Sequence, residues 1–176
     1  GDYAGALAHG QQSLSMAERI GDAQAMARAQ NLLGVITLER GNNTAAIPYF
    51  ERALDLYTQA ENIHGQGLVH NGMANAYFSL GRWTDAGAHY RRAREIFSQI
   101  GDIYWEAAAD NNLGSIARDQ GRLDDAVACY QDALRALEQI GGSPHFMAAF
   151  SMNLGNALIR RGEVEEARHY LRISQE

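Results

Sequence analysis

The side chains of this 176-residue sequence that could do chemistry are six histidines, one cysteine, several paired carboxylates and a scatter of arginines and asparagines. A helical zinc site needs two histidines four residues apart with a glutamate beside them, because that spacing turns both imidazoles to one face. His9, His64, His70, His89, His145 and His169 contain no such pair. Cys129 stands alone, so neither an intrachain disulfide nor a multi-cysteine metal site can form, and the composition suits a reducing compartment. As a nucleophile it would need an activating base nearby, and a small packed residue is the simpler reading. Asp124-Asp125 and Glu165-Glu166 resemble acid–base pairs, but both fall at expected helix starts, where negative charge complements the helix dipole. All fifteen basic residues are arginine, which removes Walker-type phosphate binding and lysine chemistry altogether. The expectation is a protein without catalytic residues, cofactor or metal.

Charge and hydropathy narrow the partners. The net charge is −6 with no basic block, so nucleic acid and anionic membrane surfaces, which reward clustered positive charge, are not expected. No apolar run approaches a membrane span and no secretory signal opens the sequence. A cytoplasmic location is expected. The chain opens in the middle of a repeat, as part of a larger protein would, and its Ala, Gly and Arg bias hints at a bacterial genome.

The elements that position these side chains recur. Gly1, Gly41, Gly81 and Gly121 lie forty residues apart, and Gly162 follows one residue late, after the turn-rich Gly141-Gly142-Ser143-Pro144. Ala6, Ala46, Ala86, Ala126 and Ala167 keep the same interval, as do Phe50, Tyr90, Tyr130 and Leu171. A second turn series, Gly21-Asp22, Glu61-Asn62, Gly101-Asp102 and Gly141-Gly142, falls halfway between. Each half-repeat carries helical spacing of apolar residues, such as Ala46, Phe50, Ala53, Leu54 and Tyr57. The pattern predicts an all-α stack of about nine helices: 3–20, then pairs at 24–40/43–60, 64–80/83–100, 104–120/123–140 and 145–161/164–175. The repeats would divide at 1–22, 23–62, 63–102, 103–142 and 143–176. Gly34, Gly114 and Gly155 inside first helices predict a close crossing against Ala46, Ala126 and Ala167, since glycine there otherwise costs about 0.8–1 kcal/mol. His9, Tyr49, His89, Cys129 and His169 are expected to share one scaffold phase. Trp83 and Trp105 are expected to pack against neighbouring helices.

Leu33-Gly34…Ala46…Phe50…Ala53, Met73-Ala74…Ala86…Tyr90…Ala93, Leu113-Gly114…Ala126…Tyr130…Ala133 and Leu154-Gly155…Ala167…Leu171 resemble the tetratricopeptide repeat. The forty-residue period and the missing closing proline are similar to the long-helix subclass of kinesin light chains, G-protein-regulator adaptors and bacterial signalling regulators. The resemblance implies a right-handed α-solenoid whose first helices line a concave groove, and a protein-interaction function within a bacterial signalling or transcriptional regulator.

On a helical wheel, residues two before Leu33 and its equivalents face away from the stack. Asn31, Asn71 and Asn111 occupy that phase, with Asn75 and Asn156 one turn on, and Asn112 and Asn153 beside them. Asparagine is a poor helix-interior residue, so its recurrence suggests a ladder of amides able to hold the main chain of a peptide or helix. Arg28, Leu68, Phe78 and Arg118 share the face and would select side chains. The alternative for these amides is that they are merely solvated or bond across neighbouring helices; the alternative for the chain is a structural scaffold whose array ends mediate dimerisation or intramolecular packing.

Overall fold

The computed structural model describes residues 3–174, and among them the backbone forms nine α-helices and no strand. They are α1 (Tyr3–Ile20), α2 (Ala23–Glu39), α3 (Asn43–Gln59), α4 (Ile63–Ser79), α5 (Trp83–Ile100), α6 (Ile103–Asp119), α7 (Leu123–Gln139), α8 (Pro144–Arg161) and α9 (Val164–Ile173). Expected boundaries agree to within one residue except at the last helix, whose expected end at 175 lies outside the described residues.

Local chemistry explains the boundaries. Gly21, Gly41, Gly81, Gly101, Gly121, Gly141 and Gly162 each end a helix with positive φ, a conformation that costs an L-residue roughly 1–2 kcal/mol. After α3 no glycine is present, and Glu61 adopts φ 51° instead. Asp22, Asn62 and Asp102 then start the next helices, accepting from the N–H of Ala25, Gly65 and Trp105 at 2.9, 2.7 and 3.2 Å. Each satisfies a donor that the helix cannot bond itself.

The chain forms two compact units, residues Gly1–Ile96 and Phe97–Glu176. In the first, each helix from α1 to α4 packs on the next and α2 also touches α4. Its core holds Ala46, Phe50, Ala53, Tyr57, Val69 and Met73. In the second, α6 to α9 pack in the same succession and α6 touches α8, around Tyr130, Leu134, Leu137, Phe150, Leu154 and Leu158. Leu33, Met73 and Leu154 are buried and Leu113 half-buried, as their phase requires.

The interior glycines have a different reason from the one expected. A Cβ on Gly34 would lie 2.8 Å from the Phe50 ring, one on Gly114 2.9 Å from Tyr130, and one on Gly155 2.8 Å from Leu171. They make room for the large residue four positions after the alanine, and the alanine itself is the lesser constraint. The pairing extends to polarity: Tyr90 donates its hydroxyl to Asn75 Oδ1, and Tyr130 donates to Ser115 Oγ at 3.0 Å. In the repeat before, the same two places hold Phe50 and Val35, apolar against apolar in one cluster. Buried hydroxyls need partners, and each repeat supplies its own.

Candidate functional site

In the first unit, α2 and α4 border a groove of about 410 Å³. Arg28, Asn31, Leu32 and Val35 line it from α2, His64, Gly65 and Leu68 from α4, and Tyr57 reaches it from α3. Arg28, Asn31 and Leu68 were all expected on the binding face. The floor is set by a size exchange: a Cβ on Gly65 would stand 2.5 Å from the Tyr57 ring, so the glycine lets the ring lie flat beneath α4. Burial raises the Tyr57 pKa, and the Arg28 cation works against that rise. The phenol is neutral at ordinary pH. Arg28 is exposed, and among the described residues no carboxylate pairs with it.

Asn31 is half-buried, yet its Oδ1 is shut from the surface and meets no donor among the described residues. The cause is visible in the other unit. There Asn111, one repeat pair further on, accepts a hydrogen bond from Asn153 Nδ2 at 3.0 Å across α6 and α8. The residue of α4 that corresponds to Asn153 is Gly72, where a Cβ would come within 2.6 Å of Phe50. With no side chain at Gly72 the Phe50 ring stands in that place, and Asn31 is left with a buried acceptor.

The sequence profile of the tetratricopeptide repeat matches residues 1–59, 66–139 and 105–174. The chain belongs to the tetratricopeptide repeat family. Among solved structures it is similar in fold to BtubC (BKLC) from P. vanneervenii, at 20% identity and a TM-score of 0.85 over 99% of this chain and 72% of that one. It is also similar to a Rap protein complexed with Competence and Sporulation Factor (18% identity, TM-score 0.85, 96% of this chain and 46% of that one). A putative kinesin light chain from Podosopora anserina superposes at a TM-score of 0.73 and 15% identity, over 99% of this chain and 86% of that one. No curated protein sequence matches. Proteins of this repeat family are scaffolds for protein interaction and typically not catalysts. No helix among the described residues is long and apolar enough to cross a membrane.

Within these tetratricopeptide repeats the amide ladder is not continuous. Asn111 is buried at 6% exposure and bonded to Asn153, with a longer contact of 3.4 Å to Asn112. Its expected outward orientation is not observed; it sits at the seam of α6 and α8 because α8 covers that side. Asn75 is occupied by Tyr90. Asn71 and Phe78 are half-buried, and Asn156 is exposed. Arg118 donates to Asp119 at 2.9 Å.

Several of the residues weighed for chemistry have partners in the fold. Asp125 and Asp124 pair with Arg122 (2.5 Å) and Arg161 (3.2 Å), and Glu165 with Arg168 (3.2 Å). Trp105 stacks on Phe97 at 5.8 Å between centroids, whereas Trp83 is 37% exposed. Cys129 is half-buried against Gly114. The shared histidine phase is corrected at its last member: the residue inserted near Gly142 places Tyr170, half-buried, where His169 was expected, and His169 is exposed. One pair escaped the search for i,i+4 spacing. His70 and His89, on α4 and α5, approach with Nδ1 atoms 2.9 Å apart, and Tyr77 stacks on His89. Burial, then His89 and Arg92, lower the His70 pKa to about 4; burial lowers that of His89 against the pull of Asp85. Both rings are neutral near pH 7, one donating Nδ1–H to the other.

Proposed function

We propose that this chain binds a segment of a partner protein in a groove lined by its first helices, and that the α2/α4 groove is the principal seat. The observation that carries the reading is the coincidence of space, an unpaired arginine, exposed aliphatic surface and a buried amide acceptor in one place. Ligand sites combine apolar walls with a few placed polar groups in this manner. The Rap structure with its bound factor supports the idea that such a fold can hold a ligand. The parent would be a bacterial signalling or transcriptional regulator working in the cytoplasm, a context favoured by the lysine-free, alanine- and arginine-rich composition.

The test is to select binders from a random linear peptide library and titrate them into isotope-labelled protein. Amide resonances of Asn31, Leu32, Val35 and Leu68 should move first, and Leu68→Glu should abolish binding while leaving helicity intact. Binding unchanged by Leu68→Glu, or shifts confined to other helices, would reject the groove. A self-association reading draws support from the exposed Met16 and Ile20 of α1, at 59% and 76% exposure; sedimentation over a range of concentrations tests it, and a monomer throughout removes it.

A further inference from the structure

Resting on the groove reading above, we infer that the α2/α4 groove is specific for an extended segment that sets an acidic side chain beside a branched aliphatic one. Three features define the occupant. The first is charge. Arg28 is exposed and without an ion-pair partner among the described residues, and no Asp or Glu lines the groove. The other lining residues are uncharged side chains and one histidine, His64. A lysine or arginine of the partner would face Arg28 with no counter-charge, whereas a carboxylate gains a charge-assisted hydrogen bond from its guanidinium. The chain as a whole is acidic, so this preference is local to the groove and not a general attraction for anions.

The second feature is the apolar wall. Leu32 is 46% exposed, and Val35 and Leu68 are partly exposed on the facing sides of α2 and α4. A leucine, isoleucine or valine from the partner would remove this surface from water, which favours binding. The third is the acceptor. Asn31 Oδ1 lacks an N–H donor, and a buried acceptor left unpaired is costly. A helical partner has spent its main-chain N–H groups internally; an extended one still carries them free. Because Oδ1 is shut from the surface, the Asn31 side chain must turn toward such a backbone to use it. Extended backbone, carboxylate and aliphatic side chain together match the amide, the cation and the apolar wall of the site.

The experiment uses linear peptides displayed with their C-termini fused to the carrier, so that only side-chain carboxylates are offered. Selection on the wild-type chain should enrich Asp or Glu within two residues of Leu, Ile or Val. The enriched peptides, resynthesised with C-terminal amides, should lose about tenfold or more in affinity on Arg28→Glu. They should recover on that variant when their acid is exchanged for arginine. Peptides that depend on Leu68 but are indifferent to Arg28→Glu would overturn this inference and leave the groove reading standing. Peptides indifferent to both substitutions, or no enrichment at all, would overturn both.

Discussion

The seam between α2 and α4 and the seam between α6 and α8 are built from corresponding residues, yet one is open and the other closed. In the second unit Tyr104 and Phe146 meet edge to face with centroids 4.9 Å apart, and Asn153 bonds Asn111. In the first unit the corresponding residues are Gln24 and Gly65, and Gly72 and Asn31. Two glycines therefore separate a groove from a filled seam. Neither is free to change alone, because Tyr57 crowds Gly65 and Phe50 crowds Gly72. Opposite Phe146 the second unit has Leu137 where the first has Tyr57. At Gly65 the exchange is one of size, Tyr57 for Leu137; at Gly72 it is not, since Phe50 corresponds to Tyr130, which leaves room for Asn153.

The sharpest way to break this comparison is to give the first unit the second unit's residue. Gly72→Asn should destabilise by about 1–3 kcal/mol or more through overpacking against Phe50, read as a lower denaturant midpoint. Adding Phe50→Leu should recover part of the loss by making room for an amide that can reach Asn31. No recovery would mean that Phe50 does not govern the seam. Next in size is the asymmetry of the amides. Asn153→Ala strands the buried Asn111 and should cost about 1–3 kcal/mol, whereas Asn31→Ala removes an acceptor already unpaired and should be close to neutral or stabilising. Equal losses in urea melts would contradict the stated difference between the seams.

Such asymmetry was only partly legible beforehand. Helix number, boundaries and the inward phase of Leu33 and Leu154 follow from periodicity and turn glycines, which act locally. Arg28, Asn31 and Leu68 were also within reach, because one wheel position fixes a face. What periodicity could not convey is how a face divides between solvent and the neighbouring first helix. Asn31 and Asn111 share a phase and differ in environment because of Gly72 and Asn153, residues about forty positions away. Gly65 carried its signal only in combination with Tyr57. The His70–His89 pair has a spacing of nineteen, which becomes meaningful once two helices are known to run back to back.

That histidine pair has no counterpart in the second unit, where Asp110 and Cys129 occupy the corresponding positions, and this supplies a pH test. Folded His70 resists its proton down to about pH 4, while an unfolded histidine accepts it near 6.5. Between those values the unfolded state binds more protons, so stability is full above about 6.5 and declines as pH falls toward 4. The slope should reach at most about 1.4 kcal/mol per pH unit for one proton, less for a half-buried ring. His70→Gln should flatten it, as measured by urea midpoints at several pH values; an unchanged slope would assign the acid sensitivity elsewhere. The smallest effect expected is at the turn after α3. Glu61→Gly relieves a left-handed glutamate and should stabilise by up to about 1 kcal/mol. At the corresponding Gly101, alanine should destabilise by a similar amount, with thermal melts reporting both.

The matched hydroxyl pairs have a consequence for how such an array can be recombined. Tyr90 answers Asn75, Tyr130 answers Ser115, and Phe50 answers Val35. Placing α5 or α7 after α2 would set a phenol against Val35, and that chimera would carry a buried hydroxyl with nothing to bond. For such a move the smallest cassette free of the mismatch is a whole helical hairpin, taken with its own first helix.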